Sequence, residues 1–318
     1  MDLKPIIHFA TLAPSGHNTQ PWKFSASDNV IRIYADATRR LPVVDPDDHA
    51  LYISLGCALE NLVIAASEYG LTTKVEYLPD CLKANLFSNG NENSSALFRA
   101  IPLRQSNRSI YDGKPVAEAH LRELIDDNIF DGVEVKALRT NDPQIEWIIE
   151  FVKEATRLQF QDDAFVNELI SWIRFSSKAV TRTADGLTGA ALGFPSVPEW
   201  LGTFIMKTLV NPDGEAKKCE KAIQSSSLVF VFIARKNDRR HWVDVGRSFE
   251  RVALTATSLG IAHAHLNMPC EVTPVRKKLA SQLALDQDEQ PLLLIRLGYA
   301  NPVPHAPRRP IEEVLDAT

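Results

Sequence analysis

The stretch Leu55-Gly56-Cys57-Ala58-Leu59-Glu60-Asn61-Leu62-Val63-Ile64-Ala65-Ala66-Ser67-Glu68-Tyr69-Gly70 has a counterpart in the same chain. It is Val245-Gly246-Arg247-Ser248-Phe249-Glu250-Arg251-Val252-Ala253-Leu254-Thr255-Ala256-Thr257-Ser258-Leu259-Gly260. With the two laid on each other without gaps, Gly56 meets Gly246, Glu60 meets Glu250, Ala66 meets Ala256 and Gly70 meets Gly260, and further on Pro79 meets Pro269. The apolar series Leu55, Leu59, Leu62, Ala66, Tyr69 falls on Val245, Phe249, Val252, Ala256, Leu259, and each series follows one face of a helix. Both patterns stop at Gly, a natural residue just past a helix end. The correspondence predicts a helix–strand unit present twice; a chance likeness of two amphipathic helices is the alternative. Glycine inside a helix costs roughly 0.5–1 kcal/mol relative to alanine. A matched pair, Gly56 and Gly246, therefore predicts close backbone approach where the helices pack about a pseudo-twofold axis, unless each position merely tolerates a small residue.

Outward from these helices, expected over 48–69 and 242–259, the pattern reads as α/β. Val30 to Tyr34 alternates as a strand, and Asp45 to Asp48 supplies turn and cap residues. A strand is expected over 74–78, then a polar linker over 80–98. Helical patterns cover 117–127 and 143–175. Leu228 to Ala234 reads as a buried strand and Leu292 to Leu297 as the last one. Residues 181–198, rich in Gly and Pro with no period, are long enough for a lid or active-site loop. The expected division is one half over 1–98 and another over 99–318, fused as a pseudo-dimer.

The chain has 318 residues, 45% of them hydrophobic and 24% charged, enough to bury a large core without metals or disulfides. A net charge of -5 argues against a broad nucleic-acid or membrane surface, though not against a local basic pocket. Cys57, Cys81, Cys219 and Cys270 show neither CxxC nor zinc spacing and read as free thiols in a reducing compartment. Residues 1–9 lack an apolar run of signal-peptide length. No stretch is expected to approach the roughly 20 apolar residues of a membrane helix. The expected location is the cytoplasm, with neither nucleic acid nor membrane as a partner.

Two strings carry candidate chemistry. In Arg104-Gln105-Ser106-Asn107-Arg108, an extended backbone would point Arg104, Ser106 and Arg108 one way, and two guanidinium forks with a hydroxyl suit a phosphate monoester. Arg308 and Arg309 in the tail could add a second clamp; a solvated basic surface is the alternative. Ala13-Pro14-Ser15-Gly16-His17-Asn18-Thr19-Gln20-Pro21-Trp22 is a stiff loop with prolines and polar groups. It could face a flat heterocycle, or be a packed turn with Trp22 in the core. His263 and His265 would share a strand face, but no third metal ligand is evident. No GxGxxG, P-loop or GxSxG motif is present.

Taken together, the strings resemble the FMN-dependent nitroreductase family. Ala13 to Trp22 is similar to its APSxxNxQPW loop, and Arg104-Gln105-Ser106-Asn107-Arg108 to its RxSxR/K phosphate arm. Pro269-Cys270-Glu271 resembles its Pro-x-Glu-Gly stretch, with Val272 in place of the Gly, and Pro307-Arg308-Arg309-Pro310 its C-terminal basic clamp. In ordinary members the arm precedes the loop in one subunit, and two subunits build two flavin sites. Here the loop lies in the first half and the arm opens the second, an order similar to the Acg-like subgroup, in which one chain mimics the dimer. The resemblance implies a nitroreductase-like α+β fold, internally duplicated, with mixed antiparallel sheets around long central helices. It implies that Arg104, Ser106, Arg108 and Arg308 or Arg309 hold an FMN phosphate. Pro14, Ser15, Gly16 and Asn18 would reach the ring from the first half, and Glu271 would lie beside it.

Only the second half carries the arm and only the first carries the loop, so one FMN per chain is expected. The implied activity passes electrons from NAD(P)H through FMN to a nitro compound or quinone as small-molecule acceptor. The cofactor supplies the chemistry, so no catalytic side chain is assigned. The alternative is a flavin-sequestering protein with a closed site and little turnover. A fused pseudo-dimer could be a monomer or form homodimers.

Overall fold

The computed structural model describes residues 2–90 and 95–316. The chain opens with α1 (Lys4–Thr11), the hairpin β1 (Trp22–Ser27) and β2 (Val30–Ala35), α2 (His49–Glu68), then β3 (Leu71–Tyr77) and β4 (Leu82–Ser88). Next come α3 (Ala96–Ala100), α4 (Glu118–Ile125), β5 (Val133–Arg139), α5 (Ile145–Gln161) and α6 (Asp163–Trp172). A covering segment holds β6 (Ile173–Arg174), α7 (Ser177–Thr183), β7 (Leu187–Thr188), α8 (Gly189–Leu192) and α9 (Glu199–Thr208). The rest is α10 (Pro212–Gln224), β8 (Leu228–Ala234), α11 (Arg239–Ser258), β9 (Ala262–His265), α12 (Met268–Glu271), α13 (Thr273–Gln282), β10 (Gln290–Gly298) and α14 (Ile311–Val314).

Two antiparallel sheets result, ordered β1-β2-β4-β3 and β5-β8-β10-β9. The architecture is α+β. α2 lies on the first sheet, α11 on the second, and the two helices pack on each other in the largest hydrophobic cluster. A methyl group on Gly56 would collide with the carbonyl oxygen of Val243, and one on Gly246 with that of Ile53. Either would also lie 3.0 Å from the other glycine's Cα. Ile53 and Val243 occupy matching places in the two helices, so the contact is reciprocal, as across a twofold axis. The close approach expected at the matched glycines is present.

Asp45 starts α2 by accepting hydrogen bonds from the amides of Ala50 (3.0 Å) and Leu51 (2.8 Å). α2 is also long and apolar enough to cross a membrane, with 78% of its apolar window buried inside the protein. The expectation that no stretch reaches that length is therefore corrected; the run is apolar because both helix faces meet protein. The expected linker over 80–98 is corrected too. β4 occupies 82–88, its polar residues alternating with buried Leu82, Ala84 and Leu86; residues 91–94 lie outside the described residues. The pattern over 143–175 is two helices, broken at Asp162, whose carboxylate accepts from Ala164 N at 2.9 Å. The division at 98/99 falls inside α3. The tail returns to the first sheet, where Asp316 N donates to Phe24 O at 2.9 Å. All four cysteines are free thiols.

Candidate functional site

Two cavities meet at Pro14, Ser15, Arg108, Leu187 and His265. The smaller, about 270 Å³, is lined by Arg104, Ser106, Asn18 and Arg308. The larger, about 430 Å³, runs over Gly16 and His17 to Gln159, Asn267 and Glu271. Volumes of this size suit a small cofactor. Phe160, Phe165, Leu169, Leu187 and Leu192 line it with apolar surface. The segment expected as a lid, 181–198, supplies only the last two; the end of α5 and α6 supply the others.

The small cavity is cationic for a structural reason. An isolated parallel bridge joins Ser106 to His263 in β9, and Asn107 N donates to His263 O at 2.8 Å. Arg104 Nη2 and Arg308 Nη2 both donate to the carbonyl of Leu12, at 3.2 and 3.0 Å. The facing acid is Glu250, fully buried, with Oε1 3.4 Å from Arg104 Nε. Burial pushes Glu250 up to about 7 against the pull of Arg104 and Arg308. Burial and Arg104 push Arg308 down to about 9. Arg104 Nη1 and Arg308 Nε have no hydrogen-bond partner among the described residues. Buried cations in excess of acids are costly unless a further anion joins them.

Arg108, at the junction, is exposed and makes no hydrogen bond or ion pair among the described residues. Burial and this guanidinium push His17 down to about 4 and His265 to about 3, so both are neutral at pH 7. At the far end Gln159 Nε2 donates to Glu271 Oε2 at 2.7 Å and Asn267 Nδ2 to Oε1 at 3.3 Å; burial raises the Glu271 pKa despite both.

The Pro14–Trp22 loop is the hub of the enclosure. Asn18 Nδ2 donates to Gly186 O (3.1 Å) and Pro307 O (3.2 Å), and Asn18 Oδ1 accepts from Arg308 Nη1 (3.1 Å). Gln20 Nε2 donates to Ala184 O at 2.9 Å, and Gln20 Oε1 accepts from Arg309 N at 2.9 Å. The loop thus staples the covering segment to the tail, reinforced by Asp185 between Arg39 and Arg174. Asn18 lines the small cavity, but its amide is spent on protein partners rather than presented to a ring. Trp22 is fully buried, so the packed-turn alternative holds for that end of the loop. A second correction concerns Arg309, whose side chain turns to Asp36 and Glu313, away from both cavities. Of the tail pair, only Arg308 faces the site.

The matching place across the helix pair is filled. There Arg240, Val243, Leu78 and Cys81 line a remnant of about 40 Å³, where the large cavity has Ala50, Ile53, Met268 and Glu271. Tyr77 Oη bonds Asp244 Oδ1 at 2.5 Å, and Arg247, which stands where the other helix has Cys57, bonds Glu60 at 2.8 Å. Glu250 and Arg296 were not assigned roles from sequence. Arg296 gave a signal, a charge inside the apolar run Leu292 to Leu297; Glu250 gave none, because it lies off the apolar face of its helix.

No protein-family model matches the chain. Among curated proteins, the "Putative NAD(P)H nitroreductase" chains Rv3131 and acg of Mycobacterium tuberculosis are 24% and 25% identical to it. Those alignments span 99% and 98% of this chain and 91% and 94% of theirs. The chain is similar along its whole length to the Acg-type nitroreductases. Among solved structures, the FMN-dependent nitroreductase NfnB from Mycobacterium smegmatis, in complex with NADPH, is 16% identical. It covers 70% of this chain and 98% of its own, with a TM-score of 0.46.

Proposed function

We propose that the chain is an FMN-dependent NAD(P)H oxidoreductase of nitroreductase type, with one FMN per chain in the joined cavities. The observation that carries this is the convergence of buried Arg104 and half-buried Arg308 with Ser106 at one end of the joined cavities, with guanidinium nitrogens left over. That donor set fits a phosphate dianion, which accepts from several guanidinium groups at once. The orphaned nitrogens, and not a sequence motif, are what make the fit. The end-to-end similarity to Acg-type chains supports the same reading.

In this account Arg104, Ser106 and Arg308 hold the phosphate, and Arg108, at the junction, faces the middle of the ligand. Pro14, Ser15 and Gly16 border the ring, with Glu271 and Gln159 at its far edge. When bound, FMN supplies electron transfer between a nicotinamide donor and a small-molecule acceptor. The chain's own part is to bind, to orient and to exclude water. Neutral His17 and His265 offer hydrogen bonds without changing the local charge. The filled counterpart beside Glu60 supports one FMN rather than two. The reciprocal helix contact supports two fused halves from an ancestral duplication. A single chain then suffices for a site, in the cytoplasm as its free thiols suit.

The test is anaerobic mixing of the yellow holoprotein with NADPH or NADH. The flavin bands should bleach rapidly and return on adding a nitro compound or a quinone. Retained flavin that stays oxidised for hours would instead favour sequestration beneath the covering segment.

A further inference from the structure

Arg296 is a residue whose burial needs explaining. It sits in β10 at 1% exposure, lines the large cavity, and has no acidic partner among the described residues. A buried cation without a carboxylate is an expensive feature. Its hydrogen bonds all go to neutral oxygens. Nη1 donates to Ala222 O (3.3 Å) and Ser226 Oγ (3.4 Å). Nη2 donates to Asn107 O (3.4 Å) and Ser109 O (2.8 Å), the carbonyls on either side of Arg108. The guanidinium also stacks on Tyr111 at 3.8 Å from the ring centroid, and Tyr111 Oη donates to Asn107 O at 2.9 Å. The planar fork ties the two carbonyls beside Arg108, through Nη2, to Ala222 and Ser226, through Nη1; a lysine ammonium cannot span both sides at once.

We infer that Arg296 is a positioning residue that grips the backbone on both sides of Arg108 and so aims its otherwise unpartnered guanidinium into the cavity. The inference rests on the proposed flavin site. Taking up two electrons and one proton leaves a net negative charge on the flavin ring. An Arg108 held in place favours that form over the neutral oxidised one; an Arg108 free to swing does so less. Arg296 therefore sets the balance between reduced and oxidised FMN without touching the reacting atoms.

The experiment is a reductive titration with dithionite and a reference dye. It compares the wild-type holoprotein, Arg296→Gln, Arg296→Lys, Arg108→Ala and Arg108→Ala/Arg296→Gln, with free FMN saturating every variant and thermal melts confirming folding. Both single Arg296 variants should lower the ratio of reduced to oxidised FMN affinity about tenfold, a fall of about 30 mV for a two-electron couple. In the Arg108→Ala background the Arg296 change should add no further shift, because it acts through Arg108. The Lys variant, which keeps the charge, holds the test open should Gln fail to fold. A wild-type potential in Arg296→Lys, or an equal shift with Arg108 absent, would overturn the assignment. Wild-type protein that binds no FMN would overturn the flavin reading along with it, whereas bound FMN with unmoved potentials defeats the role of Arg296 alone.

Discussion

Arg108 and Glu250 are the residues on which the site's electrostatics turn. Arg108 offers an uncommitted guanidinium, so replacing it with alanine leaves no protein partner stranded. Arg108→Ala should weaken FMN binding about ten- to a hundredfold, the worth of a hydrogen bond to a charged group, as read by flavin fluorescence on dilution. Retention equal to wild type would remove Arg108 from the site. Glu250 predicts a pH effect on flavin-free protein. Its pKa rises from 4.5 to about 7 on folding, so between those values the folded state binds more protons than the unfolded. Its contribution to stability is complete below 4.5 and lost as pH rises toward 7, on the order of 3 kcal/mol. Denaturant melts across that window should show Glu250→Gln without this loss; equal slopes for both proteins would refute it. Residue type and alternation singled out Arg104, Ser106 and Arg108 but did not separate a clamp from a solvated basic surface; that these residues line one cavity is visible only in three dimensions. The outward turn of Arg309 was not legible either, because nothing in Pro307 to Pro310 tells which arginine meets Asp36.

At the scale of elements, the helix pair was the most legible part of the chain. Matched glycines pointed to backbone against backbone, and the collisions that added methyl groups would make at Gly56 and Gly246 decide for it over mere tolerance of a small residue. Helix propensity alone would make Gly56→Ala stabilising by roughly 0.5–1 kcal/mol. The clash with Val243 O should reverse the sign and cost about 1–3 kcal/mol, measured from urea midpoints at constant m. A gain in stability would mean that the helices part more easily than their packing indicates. β4 escaped sequence reading although Leu82, Ala84 and Leu86 alternate as a strand does, because Lys83 and Asn85 between them and the Asn- and Ser-rich run that follows read as linker. Residues 181–198 read as a lid or active-site loop, but the contacts that anchor the covering segment escaped because they are long-range. Gln20 meets Ala184, and Arg39 meets Asp185, and no local pattern announces either pair.

Over the whole molecule, two sheets back onto one helix pair; among the described residues one side of that pair keeps a cavity of about 430 Å³ and the other a remnant of about 40 Å³. Near-symmetry in α2 and α11 makes the difference informative, because equivalent places carry Ala50 and Cys57 on one side, Arg240 and Arg247 on the other. Small residues leave room; the arginines, with Tyr77 and Asp244, fill it. The likeness of the two helices, and the order of loop before arm, could be read along the chain. Filling of the second place could not, because it depends on which side chains face across the seam. The central claim is a single composite flavin site built from both halves. Its most direct test is the flavin-to-protein ratio of the purified holoprotein, from absorbance after gentle denaturation. One FMN per chain is the predicted value; two per chain, or none after saturation with free FMN, would contradict it.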